Sequence, residues 1–371
     1  MNTINEQGDF MSKKVVMLVL IPISLLLTIY AKFNLSFAEY YALEIYPVFA
    51  ESISFFTSKV KFSLAEFIII VLIITVIIYL LFTLVNTISK KSTEYFKDFF
   101  LNIAASLSLI YFLFVLFCGI NYHRYEFTYY SGLVIQESTT NELTLLCKIL
   151  INDANESRAK LNTSNEGTAE LFDVNYYGTT ERAKKSFDNI SMKYEVLQGN
   201  YPYPKLVKFS NVMSNMQITG VFFPFTFEAN VNIDIPPYQI PATMLHELVH
   251  LRGFMREDEA NFIAYLASIN SGYEDFAYSG TMLALSYSMN ALYYEDYDSF
   301  TNLYNTYSED VKNDFRYSAN YWKQFETKIA EVSNKVNDTY LKANNQQDGV
   351  KSYGRMVDLL LAYYVADIFP V

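Results

Sequence analysis

The first third of the chain holds three long runs of apolar residues, namely Val15–Tyr30, Leu64–Val85 and Leu101–Ile120. Each run is close to the ~20 residues that an α-helix needs to cross the hydrocarbon core of a bilayer. The pattern predicts three transmembrane helices at about residues 15–31, 63–86 and 101–120. A cleaved signal sequence is the alternative for the first run. No small-residue cleavage site follows that run, however, and two more spans come after it.

Beyond Tyr122 the pattern changes to shorter amphipathic segments typical of a globular domain. Phe225–Ile233 alternates apolar and polar residues, which predicts a half-buried strand. That strand either binds an extended peptide at its edge or belongs to a sheet that covers the core. The remaining periodicity is mostly helical. We therefore expect a membrane-anchored α+β protein with a membrane domain at 1–125 and a mainly helical domain with a small β-sheet at 126–371.

Composition supports a membrane portion and argues against nucleic acid as a partner. Charged residues make up only 18% of the chain and aromatic residues 17%, and the formal net charge is −11. Binding to nucleic acid requires a basic surface that this acidic chain lacks. Cys118 lies inside an apolar run, so neither a structural disulfide with Cys147 nor a cysteine metal site is expected.

The lysines around the apolar runs predict the orientation of the chain. Lys13 and Lys14 precede the first run, and Lys90, Lys91 and Lys97 lie between the second and third runs. Cytoplasmic segments are enriched in lysine and arginine, so both regions are expected in the cytoplasm. Three spans that start inside end outside, which predicts an extracytoplasmic location for residues 126–371.

The stretch from Pro241 to Ala267 carries the candidate chemistry. It contains His246 and His250 with Glu247 between them, which is an H-E-x-x-H string in a chain with only three histidines. Residues four apart lie on one face of a helix, so both imidazoles can reach one zinc ion. Glu247 is then placed to act as general base on a water that the zinc activates. Pro241 suits the first turn of such a helix.

The string resembles that of the gluzincin metallopeptidases, in which a glutamate on a second helix supplies the third ligand. The segment Glu257-Asp258-Glu259-Ala260-Asn261 is similar to that second helix, with Asn261 where the family has an aspartate. The resemblance implies Glu257 as the third ligand, and Glu259 is the alternative. Asn261 would support a zinc histidine by accepting its hydrogen bond. The metzincin pattern does not fit, because Arg256 occupies its last ligand position.

Most of the chain from the third apolar run onward resembles an uncharacterised bacterial family, a domain of unknown function with three N-terminal spans and a zincin-like domain. That resemblance implies a multi-pass protein of the bacterial cell membrane that belongs to the zinc-peptidase superfamily. The segments that carry it are Gly119–Tyr122, Phe223–Val231, His246–Tyr265, Tyr278–Gly280, Asn290–Tyr293 and Tyr353–Arg355.

These features predict a membrane-bound zinc metallopeptidase with Zn²⁺ as cofactor. Glu247 would take a proton from the zinc-activated water and pass it to the leaving amine. Tyr278 and Arg355 are candidates for the donor that stabilises the oxyanion. The expected partners are the lipid bilayer and a peptide or protein substrate, including membrane-associated ones, with no nucleic acid. The alternative is a catalytically weak or inactive domain that binds peptides as a membrane receptor or scaffold, which Asn261 favours.

Overall fold

The computed structural model of the chain describes residues 14–173, 175–346, 349 and 355–368. These residues form two compact units. The first unit contains the described residues up to Phe49 together with 64–124 and 224–226. The second unit contains 50–63, the described residues from Tyr125 to Phe223, and those from Phe227 onward. The stretch 50–63, although it lies between two apolar runs, therefore belongs to the same unit as the H-E-x-x-H string.

The first unit is helical. Its elements are α1 (Leu20–Phe33), α2 (Leu35–Tyr40), a π-helical turn (Tyr41–Ile45), the start of α3 (Tyr46–Thr57), α4 (Leu64–Lys90), α5 (Glu94–Phe117) and a 3₁₀ turn (Gly119–His123). Three helical stretches, Lys14–Phe33, Leu64–Lys90 and Glu94–Phe117, are long and apolar enough to cross a membrane. The three predicted apolar helices are thereby confirmed.

The boundaries of the third apolar helix differ from the prediction. It begins at Glu94, in the polar segment before the run, and ends at Phe117 because Cys118 leaves the helical conformation at φ −149° and ψ −53°. Within this unit the first and third apolar helices run parallel. Lys14 Nζ lies 3.2 Å from Asp98 Oδ1, and the Ser108 hydroxyl donates to the Met17 carbonyl at 2.7 Å.

The second unit combines helices with a small sheet, which confirms the predicted α+β class. The strands are β1 (Lys205–Val207), β2 (Gly220–Phe223) and β3 (Glu228–Asn232). The helices, after the end of α3, are α6 (Phe127–Ser131), α7 (Thr140–Arg158), α8 (Tyr177–Ser191), α9 (Ser210–Asn215), α10 (Ile240–Leu251), α11 (Glu257–Ile269), α12 (Glu274–Glu295), α13 (Tyr297–Tyr304), α14 (Glu309–Lys323), α15 (Lys328–Ala343) and α16 (Met356–Ile368).

The sheet has the order β1-β3-β2, with β1 parallel and β2 antiparallel to β3. The prediction of a half-buried strand at 225–233 is wrong, because β3 is shorter and all five of its residues are buried. The polar side chains of β3 can be buried without a large energetic cost because they form hydrogen bonds or ion pairs inside the protein. As the central strand, β3 also offers no edge to a peptide; the edges belong to β1 and β2.

The two faces of the sheet are covered by different parts of the second unit. On one face the Ser63 hydroxyl donates to Asn230 Oδ1 at 2.6 Å, and Lys205 Nζ donates to the carbonyl oxygens of Thr57 and Val60. Directly opposed strand residues point to the same face, and Lys205 is opposite Asn230. Residues 50–63 therefore cover this face. Helix α10 packs against the other face.

Helix α10 is held between the sheet and other helices of this unit. It packs against α11, α8 and α12 as well as β2 and β3, and Met244, Leu245, Leu248 and Val249 are fully buried in these contacts. At its end, Arg252 donates to the carbonyl oxygens of Leu248 and Leu197 at 2.9 Å. A cation near the C-terminus of a helix also stabilises the helix dipole, so the helix that carries both motif histidines is firmly fixed.

Candidate metal centre

The histidines of the motif face each other one helical turn apart on α10. Their ring centroids are 4.7 Å apart, and the Nε2 atoms of His246 and His250 lie 3.0 Å from one another. This follows from the i, i+4 spacing, which stacks side chains on one face of a helix. Only 13% and 9% of the two side chains are exposed, so the Nε2 pair lies in a largely water-excluded place.

A turn at Gly253 brings a carboxylate to the two rings. Gly253 has φ +83°, a left-handed conformation that glycine adopts without steric cost, and it reverses the chain between α10 and α11. Glu257 is the first residue of α11. Its Oε2 atom lies 3.1 Å from His246 Nε2 and 3.7 Å from His250 Nε2.

These three side chains have the arrangement of a metal site. Among the described residues, His246, His250 and Glu257 are the one group whose ligand atoms all come within 4.8 Å of one another. A tetrahedral zinc ion with ligands at about 2.0–2.2 Å would hold its ligand atoms about 3.3–3.6 Å apart. The observed separations of 3.0, 3.1 and 3.7 Å bracket that range, so the donor set fits zinc.

Hydrogen bonds on the far side of each ring fix its orientation. His246 Nδ1 lies 2.8 Å from Asn261 Oδ1, and His250 Nδ1 lies 2.8 Å from the Phe254 carbonyl oxygen. Both partners are acceptors, so each ring carries its proton on Nδ1 when neutral. The lone pair of each Nε2 then points toward Glu257, as a metal ligand requires. Asn261 thus accepts a hydrogen bond from a motif histidine, as the sequence predicts, and that histidine is His246; the tight turn after α10 supplies the acceptor for His250.

The electrostatics of the metal-free cluster are those of a buried ion pair. Burial alone would lower the pKa of His250, but the charge and hydrogen bond of Glu257 outweigh burial and raise it to about 9. Burial would raise the pKa of Glu257, yet the two histidines hold it well below its usual range. A proton on His250 therefore occupies the position where a cation would bind, and a cation must displace it.

Glu247 lies beside the cluster, between α10 and β2. Its carboxylate is buried and accepts a hydrogen bond from the Phe222 N–H. Its Oε2 has no hydrogen-bond partner within the part of the chain that the structure describes. Burial is the main cause that raises the pKa of Glu247, and the positive charges of His246 and His250 oppose it. A buried carboxylate with one unused oxygen and a raised pKa is suited to proton transfer.

Gly220 provides the space that Glu247 occupies. A Cβ atom at this position would lie 2.5 Å from Glu247 Oε1, 2.8 Å from its Cγ and 2.8 Å from Thr243 Cγ2. Real Cβ contacts of that length do not occur, so any larger residue would force Glu247 or the strand to move. Nothing in the sequence around Gly220 distinguished it from an ordinary loop glycine, because its role depends on contact with a helix more than twenty residues away.

The structure places the other sequence candidates outside the cluster. Glu259 accepts a hydrogen bond from the Phe127 N–H at 2.6 Å and pairs with Arg256 at 2.9 Å. The Tyr278 hydroxyl is buried and donates to Asp314 at 2.6 Å. Arg355 lies 3.7 Å from Asp258 and is 47% exposed. The structure therefore does not bring Glu259, Tyr278 or Arg355 to the two histidines.

Tyr287, on α12, is a residue near the site that the sequence did not reveal. Burial and the charge of Glu257 together raise the pKa of its phenol to about 12, and the hydrogen bond with the Asn261 side chain opposes this rise. The phenol therefore stays protonated at neutral pH and remains a hydrogen-bond donor beside the cluster. The chain contains 32 tyrosines, and no local pattern singles this one out.

Comparison with known proteins identifies one relationship. The model of the family described as "Protein of unknown function (DUF3810)" matches residues 41–361, which is most of the chain but leaves out the first apolar helix. No curated protein and no solved structure shows a significant match.

Proposed function

The chain belongs to the DUF3810 family, and from the geometry of its own site we propose that it is a membrane-anchored zinc metallopeptidase. The observation that carries the proposal is the convergence of His246, His250 and Glu257, with the buried Glu247 carboxylate beside them. Two neutral imidazoles and one carboxylate leave a fourth position open on zinc, the arrangement of catalytic rather than structural zinc sites.

Each residue of the cluster has a distinct role in peptide hydrolysis. A zinc ion held by the three ligands would act as a Lewis acid on the substrate carbonyl and on a nearby water. Glu247 takes a proton from that water as its oxygen attacks the carbonyl carbon, and then delivers the proton to the leaving nitrogen. The Tyr287 hydroxyl donates a hydrogen bond to the oxyanion that forms on the carbonyl oxygen.

The edge strand β2 supports a peptide as the substrate. The Asn232 N–H donates to the Thr219 carbonyl at 2.9 Å, so by the alternation of antiparallel pairs the backbone groups of Gly220 and Phe222 point away from β3. The Phe222 N–H already reaches Glu247. An extended peptide that pairs with this edge would run beside the general base.

Three apolar helices support attachment to a membrane, with the second unit outside the cytoplasm. Residues 50–63 belong to the second unit, so the loop after the first helix lies on the same side as the domain with the site. The lysines at positions 90, 91 and 97 then lie on the opposite side. This alternation of the loops across the membrane agrees with a cytoplasmic N-terminus and an extracytoplasmic site in a bacterial cell.

The test compares the full-length protein with its Glu247→Gln variant on a mixture of synthetic peptides analysed by mass spectrometry. Loss of the general base should reduce hydrolysis by about 10²–10⁴-fold, while zinc remains bound because all three ligands are unchanged. Zinc content measured on the same samples is the internal control. A variant that retained both its zinc and its full activity would show that Glu247 is not the base.

A peptide receptor without catalysis is the second candidate, and Asn261 favours it. A neutral amide accepts a hydrogen bond from His246 Nδ1–H, but it cannot increase the basicity of the ring as a carboxylate does. In that case the protein would bind peptides at the β2 edge and release them intact. The same peptide experiment distinguishes the two functions, since a receptor enriches peptides without shortening them.

A further inference from the structure

Residues 50–63 connect the site to the start of an apolar helix. The Ser63 hydroxyl donates to Asn230 Oδ1 at 2.6 Å in the centre of the sheet, and Leu64, the next residue, begins α4. Asn230 is opposite Val221, and the neighbouring Phe222 N–H reaches Glu247. The path from Ser63 through Asn230, Val221 and Phe222 to the Glu247 carboxylate is about 17 Å long. The straight-line distance between Ser63 and that carboxylate is shorter.

Two further contacts make this connection firm. Lys205 Nζ donates to the carbonyl oxygens of Thr57 and Val60 and lies 4.0 Å from the fully buried Glu228. Ser54 donates to the Phe227 carbonyl at 3.5 Å. Residues 50–63 are thus fastened to β1 and to the start of β3, so the distance from Ser63 to the site is fixed by the fold rather than by a flexible linker.

A second connection lies on the ligand helices. Phe127 comes ten residues after the third apolar helix ends at Phe117. Its N–H donates to Glu259 on α11 at 2.6 Å, and its ring packs edge-on against Phe254 at 5.7 Å. Phe254 supplies the carbonyl that orients His250. The chain thus enters the second unit at the turn between the two ligand helices.

The stretch before α4 has the side chains of a membrane interface. Phe55, Phe56 and Phe62 are 59%, 68% and 57% exposed, and Lys59 Nζ lies 4.1 Å above the Phe55 ring. Exposed phenylalanines on a segment at the membrane surface insert at the boundary between headgroups and acyl chains, and lysines beside them extend to the headgroups. Exposed rings at this point are explained by a bilayer surface, which the adjoining apolar helix must reach.

We propose that the site operates at the bilayer surface and takes as substrate an extended polypeptide segment close to its own membrane anchor. The inference rests on the proposed function for the reaction, and on the contacts of residues 50–63 for the location. A shared bilayer confines enzyme and substrate together, which raises the effective concentration of the substrate as a tether does. A free peptide of the same sequence has no such advantage.

The location is tested without any substrate. Val221→Cys and Asp298→Cys variants of the full-length protein are labelled with a fluorophore and placed in liposomes that carry a nitroxide on the lipid headgroup. Val221 is 44% exposed on β2, and Asp298 is an exposed residue of α13, a helix that packs on α7 and α12. Both native cysteines are buried, so the label reports the engineered position. Several-fold stronger quenching at residue 221 is expected; equal quenching would overturn the location.

The substrate class is tested with one cleavable sequence in three forms. It is placed next to a transmembrane anchor, next to a lipid anchor, and in a free peptide, each with the wild-type protein and with Glu247→Gln. Both anchored forms should be cleaved about 10²-fold faster than the free peptide, and the ratio between them tells which anchor is preferred. Equal rates for anchored and free forms would overturn the inference while leaving the peptidase intact. Strong quenching at residue 221 without cleavage of any form would instead refute the peptidase function and leave the location standing.

Discussion

Gly220→Ala is a test of how the protein holds its general base. The added methyl group would lie 2.5–2.8 Å from two atoms of Glu247 and 2.8 Å from Thr243 Cγ2. Ordinary carbon contacts are about 3.5–4.0 Å, so these contacts are too short by about 1 Å. The two side chains affected, Glu247 and Thr243, lie on the same face of α10. Thr243 is β-branched and stiff, so Glu247 must give way.

The expected cost follows from this displacement. Adding a methyl group to a packed interior destabilises a protein by about 1–3 kcal/mol, and misplacing a catalytic group by about 1 Å lowers the rate by about 10²-fold. Zinc binding should not change, because the atoms nearest to the added methyl group belong to Glu247 and Thr243 and not to the three ligands. The variant is therefore expected to be slow but fully loaded with zinc.

The assay measures kcat, zinc content and unfolding of the full-length protein in detergent. Gly119→Ala is the matched control, since a Cβ atom there meets nothing closer than 3.6 Å, and it should behave as the wild type. If Gly220→Ala retained the wild-type kcat, Glu247 in its observed position between β2 and α10 would not be the general base. If it lost zinc as well as activity, the damage would lie in α10 as a whole.

Three other variants or titrations probe the same centre. In zinc-free protein, an NMR titration of the three labelled histidines should give His250 a pKa of about 9, so zinc affinity should fall as the pH falls below 9; a pKa near 6.5 would refute the pairing with Glu257. Gly253→Ala should cost about 1–2 kcal/mol of unfolding free energy at φ +83° and weaken zinc binding by moving the Phe254 carbonyl; unchanged stability and zinc affinity would contradict this. Tyr287→Phe should lower kcat by about 10²-fold with zinc retained, and an unchanged kcat would exclude Tyr287 as the oxyanion donor.

Short-range patterns in the sequence were sufficient for much of the structure. The apolar runs predicted the three long helices, because length and apolarity alone decide whether a helix can span a bilayer. The string Thr139-Thr140-Asn141-Glu142 has the spacing of a capping box, and that box forms at the start of α7. The spacing of His246 and His250 was enough to predict that the two imidazoles lie together, whereas Glu257 as their partner depended on the resemblance to the gluzincins.

Features that depend on residues far apart in the chain have no recognisable pattern in the sequence. The strand β2 is four residues long, too short for its alternation to stand out, and its neighbour β3 is buried on both faces. Gly220 and Tyr287 matter only because α10 and α11 pack against their elements. Residues 50–63 read as a loop between spans, and their attachment to the sheet through Ser63 and Lys205 is visible only in three dimensions.

The candidates for the third ligand and for the oxyanion donor also depend on side-chain contacts that the sequence does not reveal. The gluzincin resemblance implies Glu257, with Glu259 as the alternative. The structure places Glu257 at the histidines, and Glu259 contacts Phe127 and Arg256 instead. Tyr278 and Arg355 are candidates in the sequence only because they occur in distinctive strings. Such strings do not show which way a side chain points, and both residues lie in ion-pair or hydrogen-bond contacts away from the cluster.

The most direct test of the zinc centre is the metal content of the purified full-length protein, measured together with its Glu257→Gln and Glu259→Gln variants. Both substitutions remove one carboxylate from α11, so they are matched in charge and position. We predict one zinc ion per chain in the wild type and in Glu259→Gln, and loss of that zinc in Glu257→Gln. A wild-type protein that binds no zinc, or a Glu257→Gln variant that keeps it while Glu259→Gln loses it, would contradict the account.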